Sequence, residues 1–494
     1  MSRIVMIVDN GVRGDSRVIK TAQSVGLAGH EAIVIGRVLD NSLPTEFTLR
    51  GGARVQLVPT SLTLLRSLKR TPRRSILHPL AYPTFEVRTV RASRLDARKA
   101  MHSELWSRRA IDRGVSTPRL ALSKARLTVN RVWFRLRDSQ FKKLTRMRSG
   151  DHGRIHGLVA RAKIALNPAY GWRSLDPLLT DYELEYGPVI DALEPDLIHA
   201  HDFRMSGVGV RAAERALAAG RSCAVVYDAH EFMPGVRAKS DVWRRANRAH
   251  EHTYIIRADR VVTVSAQLAD LLQTTHSLAL TPNVVLNAPE AESVIAVEGQ
   301  GIRAVLELAD DIPLVVYHGS PAKQRGLETV VRALADLPGY HAVFVLPQAA
   351  ESALYLNDAI DEVGVRDRVH FLPYVPHDQV VDFLRSADVG VIPIEHDVNH
   401  EIALITKFFD YALAGLPIVV SDVKAMSEAV EDNHIGTVFP AGDAPAAARA
   451  LRDAYDNRAR YAEGYTAELL QGWTWEQQAE TLLATYREAA PWLT

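Results

Sequence analysis

The amino-acid sequence predicts an α/β protein with two doubly wound parallel-sheet domains that face each other across a cleft. Three features of the chain lead to this prediction. Short apolar runs alternate with stretches of helical periodicity, first over residues 1–290 and again after residue 311. Most of these runs are apolar throughout, as expected of strands buried on both faces of a parallel sheet. The chain also has 494 residues, which is more than one ordinary domain contains.

The first repeat of this pattern is a strand–helix–strand unit. RIVMIV at residues 3–8 is a continuous apolar run, and the polar loop DNGVRGDSR follows it. VIKTAQSVGLAGH then has helical periodicity and ends near Gly29, before the apolar run EAIVIG. A unit of this kind favours a parallel sheet with a right-handed crossover.

Further strands complete the two halves of the chain. The N-terminal half continues with PDLIHAHDF (195–203), CAVVYDAHEF (223–232), DRVVTV (259–264) and NVVLNAPE (283–290). After the linker ESVIAVEGQG, the C-terminal half contains PLVVYHG (313–319), HAVFVLP (341–347), RVHFLPYVP (368–376), ADVGVIPI (387–394), PIVVSD (417–422) and GTVFP (436–440). We therefore predict an N-terminal domain over residues 1–300, a C-terminal domain over 301–470 and a closing helix over 471–494.

Residues 60–180 interrupt the alternation, because they contain no convincing strand. The stretch 61–165 holds 26 Lys or Arg and only 6 Asp or Glu. Residues 125–147 have the pattern of an amphipathic helix. Its apolar side would consist of Val129, Val132, Trp133, Leu136, Leu144 and Met147, and its basic side of Arg131, Arg135, Lys142 and Arg146. We predict a basic helical insertion in the N-terminal domain.

This basic insertion suggests an anionic partner, and three interpretations remain open. A basic amphipathic helix with a tryptophan can lie on an anionic membrane, so residues 61–165 could make peripheral contact with such a surface. They could instead bind an anionic polysaccharide, or form a plain solvated face. Nucleic acid is not expected as a partner, because the sequence contains no known nucleic-acid-binding module.

Composition argues against several classes of protein. The single cysteine, Cys223, rules out an internal disulfide framework and a cysteine-rich zinc site. The N-terminal apolar run is soon interrupted by Asp9 and Asp15 and lacks the features of a signal peptide. The sequence contains no run of about 18 apolar residues, so we expect no membrane-spanning helix. We expect a cytoplasmic protein, with the inner face of the membrane as a second location.

Two neighbouring strands of the predicted sheet end in histidines and acids. The candidates are His199, His201 and Asp202 after the first strand and Asp228, His230 and Glu231 after the second. Ligands bind at the carboxyl ends of parallel strands, so these side chains could form an acid–base or hydroxyl-binding site. The alternative is that the acids cap the following helices and that a histidine is only a buried hydrogen-bond partner. The spacing matches no common zinc pattern, and we expect no metal site.

A second pattern, over residues 318–334, suits a diphosphate. Gly319 and Ser320 are small and permit close approach of a ligand to the backbone, and Lys323 and Arg325 follow before a helix begins. Cations near a helix N-terminus favour phosphate groups. The pattern is neither a P-loop nor a G-x-G-x-x-G motif. The alternative is an ordinary loop with a solvated basic pair.

A third pattern lies in NHEIALITKFFDYALAGLPIVVSD, residues 399–422. Lys407 and Asp410 lie three residues apart on one face of a predicted helix, and Glu401 precedes that helix. A carboxylate at this position could accept hydrogen bonds from ribose hydroxyls, and the lysine could contact phosphate. The alternative is a weak ion pair within the helix.

The loop after the first strand, residues 10–18, is a further candidate wall of the cleft. Its glycines permit close approach, and its side chains supply polar contacts. The candidate residues are Asn10, Gly11, Arg13, Asp15 and Arg17. The alternative is that Asp15 or Ser16 simply caps the next helix.

Taken together, these stretches resemble the retaining nucleotide-sugar glycosyltransferases of the family-4 type, which have the GT-B fold of two Rossmann-like domains. The resemblance is carried by the DSRV loop, LIHAHD, YDAHE, NAPE, GSPAKQRGLE, KFFDYALAGLPIVVSD and the closing WTWEQQAETLLATYREA. It spans most of the chain outside residues 60–180. It implies that the closing helix crosses back onto the N-terminal domain.

The resemblance also implies roles for individual residues. The C-terminal domain would hold a nucleotide sugar of the UDP or GDP type, with Arg325 and Lys407 at the diphosphate and Asp410 at the ribose. His201 would reach the transferred sugar. His230 and Glu231 would line the side of a glycan or lipid-linked acceptor. Transfer would retain the anomeric configuration without cofactor or metal, in cell-envelope or polysaccharide biosynthesis.

The sequence departs from the family pattern at the donor site. Asp410 stands where the family has the second of two glutamates, Ile402 stands at the position of the first, and Glu401 is one residue away. Ser320 stands where an arginine is common. Two other classes therefore remain open, namely a sugar-nucleotide epimerase and a protein that binds nucleotide sugar without catalysis. A dehydrogenase is not expected, because the first loop lacks G-x-G-x-x-G.

Overall fold

The computed structural model describes residues 1–65, 78–83, 85–110, 116–148, 154–168, 170–236, 240–291, 301–346, 353–376 and 379–493. The chain forms two compact units. The first comprises Met1–Pro59, Tyr186–Val236 and Glu251–Thr494, and the second comprises Thr60–Glu185 and Arg237–His250. The first unit contains two sheets and all of the candidate site residues.

The first sheet has eight strands in the order β3-β4-β2-β1-β5-β6-β7-β8. The strands are β1 Arg3–Ile7, β2 Glu31–Arg37, β3 Glu46–Thr48, β4 Arg54–Val58, β5 Leu197–His201, β6 Ala224–Ala229, β7 Arg260–Thr263 and β8 Asn283–Val284. All neighbours are parallel except β3 and β4. The order reverses between β1 and β5, and such a switch point places a ligand crevice at the carboxyl ends of those strands.

The second sheet has six parallel strands in the order β11-β10-β9-β12-β13-β14. The strands are β9 Leu314–His318, β10 His341–Leu346, β11 Val369–Pro373, β12 Val389–Ile392, β13 Ile418–Ser421 and β14 Gly436–Phe439. Its switch point lies between β9 and β12. The predicted fold class of two doubly wound parallel sheets is therefore confirmed.

Helices connect the strands. Up to residue 291 they are Ser16–Leu27, Phe85–Ala110, Thr117–Arg148, Arg154–Leu166, Leu178–Leu193, Phe203–Ala218, Asp241–Ile255 and Ala266–His276. After residue 300 they are Ile302–Leu306, Leu327–Ala333, Leu356–Val363, Val380–Leu384, Val398–Glu401, Thr406–Ala414, Lys424–Asn433, Ala444–Asp456, Arg458–Glu463, Ala467–Gly472 and Trp475–Ala489.

The closing helix, Trp475–Ala489, packs against the first sheet. Its buried face shares one hydrophobic core with β1 and β6, through Leu482 and Tyr486 on the helix and Ile4 and Val226 on the strands. The indole nitrogen of Trp475 donates a hydrogen bond of 2.8 Å to the Ser24 hydroxyl. The last residues of the chain therefore contribute to the core of the first sheet.

The second unit is helical where the structure describes it. Tyr82, Phe141 and Leu144 form its small buried cluster. Other large apolar side chains of helix Thr117–Arg148 are exposed, namely Leu122, Val129, Val132, Trp133 and Leu136. Among the residues predicted for the apolar side of 125–147, Leu144 is buried, and Val129, Val132, Trp133 and Leu136 are exposed. The side chain of Met147 lies outside the described residues. Among the described residues, no helix is both long and apolar enough to cross a membrane.

The structure differs from the predicted strands in two respects. The strands β3 and β4 were not predicted, because they are short and follow the first repeat without a helix between them. Several strands end earlier than predicted, since their polar ends leave the sheet, and the apolar run 283–290 contributes only Asn283–Val284. Most of the predicted linker, residues 292–300, lies outside the described part of the chain.

Candidate functional site

A cavity of about 830 Å³ lies between the ends of the two sheets. Its walls come from the loop and helix after β1, from residues 287–290, from the end of β9 and from residues 403–410. Five of the lining side chains are basic, namely Arg13, Arg17, Lys20, Arg325 and Lys407. The cavity therefore has a predominantly cationic wall.

Lys407 lies at the start of helix Thr406–Ala414 and is buried. Its Nζ donates a hydrogen bond of 3.0 Å to the Tyr317 hydroxyl and lies 4.3 Å from the centre of that ring. Burial, reinforced by the charge of Arg325, lowers the pKa of Lys407 to about 7. Gly319 has φ +125°, and a Cβ there would lie 2.8 Å from the Lys407 Nζ. The positive φ favours glycine at 319, and a side chain there would also crowd the ammonium group.

Arg325 ends the turn Lys323–Arg325, and Gly326 follows it with φ +68°. A Cβ at Gly326 would lie 1.8 Å from the carbonyl oxygen of Pro393, so only glycine fits this turn. The Nε of Arg325 has no hydrogen-bond partner among the described residues. Neither Arg325 nor Lys407 forms an ion pair with a carboxylate of the described chain. Two cations without an acidic partner can accept an anion such as a diphosphate.

Asp410 lies one turn after Lys407 and is almost fully buried. Its Oδ2 lies 3.3 Å from the Nε2 of His318, the last residue of β9. Its Oδ1 has no partner within the described residues. Since both residues line the cavity, this free oxygen is available to a hydroxyl group of a ligand.

Asp228, at the end of β6, is the centre of a buried polar cluster. Arg17 donates to both carboxylate oxygens, at 2.8 and 2.9 Å. The Oδ2 atom also lies 3.4 Å from His199 Nε2, 3.2 Å from His201 Nδ1 and 3.4 Å from His230 Nε2. Burial alone would raise the pKa of Asp228, but Arg17 and the imidazoles hold it well below its usual range. We call these five residues the Asp228 cluster.

The histidines of the Asp228 cluster differ in exposure. His201 is fully buried, and burial lowers its pKa to about 3. His230 is about one-quarter exposed and lines the cavity. Burial lowers the pKa of His230, but the Asp228 carboxylate outweighs burial and the net pKa is raised. Of the two histidines predicted to be catalytic, only His230 reaches the cavity in this structure.

The acids beside these histidines have different surroundings. Asp202 accepts a hydrogen bond of 2.6 Å from the Phe203 amide and caps the helix that follows β5. Burial raises the pKa of Asp202 to about 6. Glu231 follows His230, and burial together with Asp202 raises its pKa to about 7. Glu231 can therefore exchange a proton near neutral pH. Asp202 caps a helix, which was the alternative interpretation of the acids at these strand ends.

The loop after β1 is organised by its own hydrogen bonds. The Asp15 carboxylate caps helix Ser16–Leu27 by accepting a hydrogen bond from the backbone amide of Val18. It also accepts one of 2.8 Å from the side-chain amide of Asn10. Arg13 is exposed and stacks 4.0 Å over the Phe47 ring. Asn10 and Gly11 line a neighbouring cavity of about 630 Å³. Asp15 therefore caps this helix and also lines both cavities.

Two candidate donor residues do not line the cavity. Ser320 contributes its carbonyl oxygen, which accepts a hydrogen bond of 2.7 Å from Tyr317. Lys323 is exposed, with its Nζ 5.6 Å from the ring centre of Tyr355. Neither side chain is directed into the cavity that Arg325 and Lys407 line.

The structure adds residues that sequence reasoning did not select. Lys20 donates a hydrogen bond of 3.1 Å to Asn287 Oδ1 and a short one to the Ala288 carbonyl. Burial, reinforced by Arg17, lowers the pKa of Lys20 to about 7. Asn287 and Glu290 come from the NAPE stretch, and they line the cavity with His318. The NAPE stretch was the available signal, although no single residue in it was chosen.

By distance alone, His199, His201 and Asp228 could ligate a metal ion, because their ligand atoms lie within 4.8 Å of one another. Arg17 already donates to both oxygens of Asp228. A metal ion on this carboxylate would compete with the guanidinium for the same lone pairs and would be repelled by its charge. The arrangement therefore fits a buried ion pair better than a metal site.

Two doubly wound sheets with a cation-lined cleft at their switch points define a two-domain architecture of the GT-B type. Comparison with known families agrees with this. Residues 148–286 match the family model described as Glycosyltransferase Family 4, and residues 300–467 match the model described as Glycosyl transferases group 1. Together these two models cover strands β5 to β8 of the first sheet and all six strands of the second.

Relatives point to the same family. The D-inositol 3-phosphate glycosyltransferases of Mycolicibacterium smegmatis and Acidothermus cellulolyticus are 25% and 27% identical to this chain over 304 and 317 residues. Each alignment covers 60% of this chain and 67% of the relative.

Among solved structures, sucrose-phosphate synthase from Thermosynechococcus elongatus superposes with a TM-score of 0.64 and 16% identity over 99% of both chains. Anabaena Alr3699/HepE in complex with UDP superposes with a TM-score of 0.57 and 13% identity, over 98% of this chain and 99% of that one. At these identities the two structures establish the fold. With the family matches, the chain belongs to the family-4 glycosyltransferases with the GT-B fold.

Proposed function

We propose that this glycosyltransferase moves a sugar from a nucleoside-diphosphate sugar of the UDP or GDP type to a glycan or lipid-linked acceptor, with retention at the anomeric carbon. The observation that carries the proposal is the pair Arg325 and Lys407, which line the cavity and form no ion pair among the described residues. A diphosphate would supply the missing negative charge. Anabaena Alr3699/HepE was solved with UDP bound, which supports a uridine nucleotide as the first donor to test.

Stabilisation of the leaving group is the main chemical task in this proposal. As the bond between the anomeric carbon and the phosphate oxygen breaks, negative charge develops on the diphosphate. Arg325 and Lys407 are fixed cations in a partly buried site and would stabilise that charge without a metal ion. The acceptor hydroxyl would form the new bond on the same face and pass its proton to the departing phosphate oxygen. No protein nucleophile is needed, and turnover should be unchanged by EDTA.

The acceptor would occupy the side of the cavity near His230 and Glu231. His230 lines the cavity and is held by the Asp228 carboxylate. Glu231 follows it, with a pKa of about 7. These two side chains would hold and orient the acceptor hydroxyl. Names among the relatives and structural neighbours, D-inositol 3-phosphate glycosyltransferase and sucrose-phosphate synthase, make phosphorylated small acceptors worth testing beside glycans.

A transfer assay tests this proposal. UDP-glucose, GDP-mannose and other nucleotide sugars would be incubated with the protein and a panel of acceptors, and the released nucleotide would be measured. We expect one donor base to give turnover and an α-linked product from an α-linked donor. Conversion of the nucleotide sugar alone into its epimer would favour the epimerase alternative. Binding without any turnover would favour the non-catalytic alternative.

We also propose that the second unit contacts an anionic membrane, in a cytoplasmic protein that reaches the inner face of the bilayer. Trp133, Val132 and Val129 are at least half exposed on one helix of the strongly basic region 61–165. A plain solvated face does not explain such large exposed apolar side chains, whereas a bilayer surface would bury them.

Vesicle co-sedimentation tests this contact. We expect binding to anionic vesicles and not to neutral ones, and loss of binding in Val132→Ser/Trp133→Ser. Trp492→Ser is the matched control, because Trp492 is similarly exposed in the first unit. Equal binding of both variants would argue against the proposed surface.

A further inference from the structure

Asn399 connects the two halves of the first unit at the edge of the site. It lies in the short helix Val398–Glu401. Its side chain forms hydrogen bonds with the backbone of Phe232, a residue of the N-terminal half. Its Oδ1 accepts a hydrogen bond of 2.8 Å from the Phe232 amide, and its Nδ2 donates one of 3.3 Å to the Phe232 carbonyl. Both polar atoms of the side chain are thus bonded to the backbone of a single residue, as the backbone of an adjacent strand would be.

The surrounding contacts fix the short helix Val398–Glu401 against the loop that contains Phe232. Asp397 caps the short helix by accepting from the Asn399 amide. A Cβ at Gly235 would lie 2.8 Å from Val398, so glycine allows the loop after Phe232 to touch the helix. Nearby, the buried Ser265 hydroxyl donates a short hydrogen bond to the Ile402 carbonyl. The interface therefore depends on specific groups on both sides.

The position of this interface in the chain gives it a functional meaning. Phe232 directly follows His230 and Glu231, which stand on the proposed acceptor side. Residues 403–407 directly follow the short helix and line the cavity beside the proposed diphosphate site. Asn399 therefore lies between the segment that presents the acceptor-side groups and the segment that presents Lys407.

We infer that Asn399 is a positioning residue that holds the His230–Glu231 loop at a fixed distance from the donor-binding segment. This inference rests on the proposed function, because it assigns Asn399 to the alignment of acceptor and donor. Asn399 does not touch the reacting groups. A displacement of about 1 Å at an active site can lower the rate by about 100-fold. Loss of both hydrogen bonds would allow the loop to shift, and this should lower mainly the rate of transfer.

The kinetic test compares Asn399→Ala with the matched control Asn433→Ala, whose side chain bonds only within its own helix. For Asn399→Ala we expect kcat for transfer to fall by about 10- to 100-fold. Affinity for the nucleoside diphosphate should be unchanged, and a larger share of donor should be lost to hydrolysis. The control should behave like the wild type. Equal loss in both variants, or a loss of nucleotide affinity instead of kcat, would overturn the inference.

Asn399→Asp separates positioning from a simple packing effect. The aspartate keeps an acceptor for the Phe232 amide but faces the Phe232 carbonyl with a second oxygen. At neutral pH the two oxygens repel, whereas a protonated carboxyl group can donate a hydrogen bond to that carbonyl. We expect transfer by this variant, relative to wild type, to recover as the pH falls towards about 4–5, the usual range of carboxyl titration. A pH-independent ratio would contradict the inference.

Amide hydrogen exchange provides a readout that needs no turnover. In the peptide that contains Phe232, exchange should be at least about tenfold faster in Asn399→Ala than in wild type or Asn433→Ala, because the Phe232 amide loses its acceptor. Unchanged exchange would overturn the inference. If the wild type transfers no sugar from any donor, the proposed function fails, and the exchange comparison still decides whether Asn399 holds the loop.

Discussion

The guanidinium group of Arg17 donates hydrogen bonds to both carboxylate oxygens of Asp228, a residue 211 positions further along the chain. Both side chains are at most 4% exposed. Arg17 donates a third hydrogen bond of 2.7 Å to the Val285 carbonyl. The guanidinium group of Arg17 is therefore hydrogen-bonded within the N-terminal half. The Asp228 cluster is organised around this buried ion pair.

Removal of Arg17 should destabilise the protein strongly. Arg17→Met would leave the Asp228 carboxylate buried without its cation, which typically costs about 3–5 kcal/mol. Urea unfolding would measure the change in free energy of unfolding. Arg13→Met is the control, since Arg13 is exposed, stacks on Phe47 and donates one exposed hydrogen bond of 3.3 Å to the Pro44 carbonyl, and it should cost less than about 1 kcal/mol. Similar losses in the two variants would contradict this account of Arg17.

Asp228→Asn should lower the pKa of His230. In the wild type, the Asp228 carboxylate outweighs the effect of burial on His230 and raises its pKa. Without that charge, burial and Arg17 lower the pKa of His230, and the weaker effect of Asp202 is left to oppose them. The pH dependence of diethyl pyrocarbonate modification, followed by peptide mass spectrometry, would report this pKa. His396 is the control, because its raised pKa comes from Glu401. An unchanged titration of His230 would show that Asp228 does not set its charge.

Binding of nucleoside diphosphate should weaken as the pH rises above neutrality. The pKa of Lys407 is lowered to about 7, so this lysine is increasingly neutral above that pH in the free protein. The anionic diphosphate favours the ammonium form, and binding would take up a proton. The dissociation constant should then rise by up to about tenfold per pH unit between about pH 7 and pH 9.

Titration calorimetry of wild type and Lys407→Arg tests this pH dependence. Arginine stays charged throughout, so the variant should show only the titration of the ligand and of the other groups. The difference between the two profiles isolates the lysine. Two profiles of the same shape would mean that Lys407 does not titrate in the free site.

His230→Ala and Glu231→Gln should each lower the rate of transfer while the fold stays intact. Both side chains would orient the acceptor hydroxyl, so the loss of either should lower the rate by about 10- to 100-fold. Because the pKa of Glu231 is raised to about 7, Glu231→Gln should also remove a limb of the pH–rate profile near neutrality. Steady-state rates and melting temperatures would be compared with those of wild type. Full activity in both variants would refute their placement at the acceptor.

The alternation of apolar runs and helices was enough to predict the two parallel sheets, because the hydrophobic pattern within each run already indicates a strand. It also predicted that the ends of β5 and β6 meet, and the register indeed pairs His201 with Asp228. The antiparallel strand Glu46–Thr48 could not be foreseen, since three residues carry no periodicity. Its pairing depends on the neighbouring strand rather than on its own pattern.

The pairing of distant side chains was not predictable in the same way. Nothing in the loop DNGVRGDSR indicates that Arg17 rather than Arg13 enters the interior, because both are arginines in one polar stretch. Asn399 bonds to a residue 167 positions away, and no local pattern marks such a contact. Lys323 and Arg325 were both candidate cations for a diphosphate, but only Arg325 lines the cavity.

The most direct measurement is titration calorimetry of UDP and GDP against wild type and Arg325→Ala at neutral pH. The central claim is that Arg325 and Lys407 form the diphosphate site of a sugar donor. It predicts that one of the two nucleotides binds the wild type and that Arg325→Ala weakens this binding by at least about tenfold, as expected for the loss of a charge-assisted contact. Binding that is unaffected by the substitution, or no binding of either nucleotide, would contradict the claim.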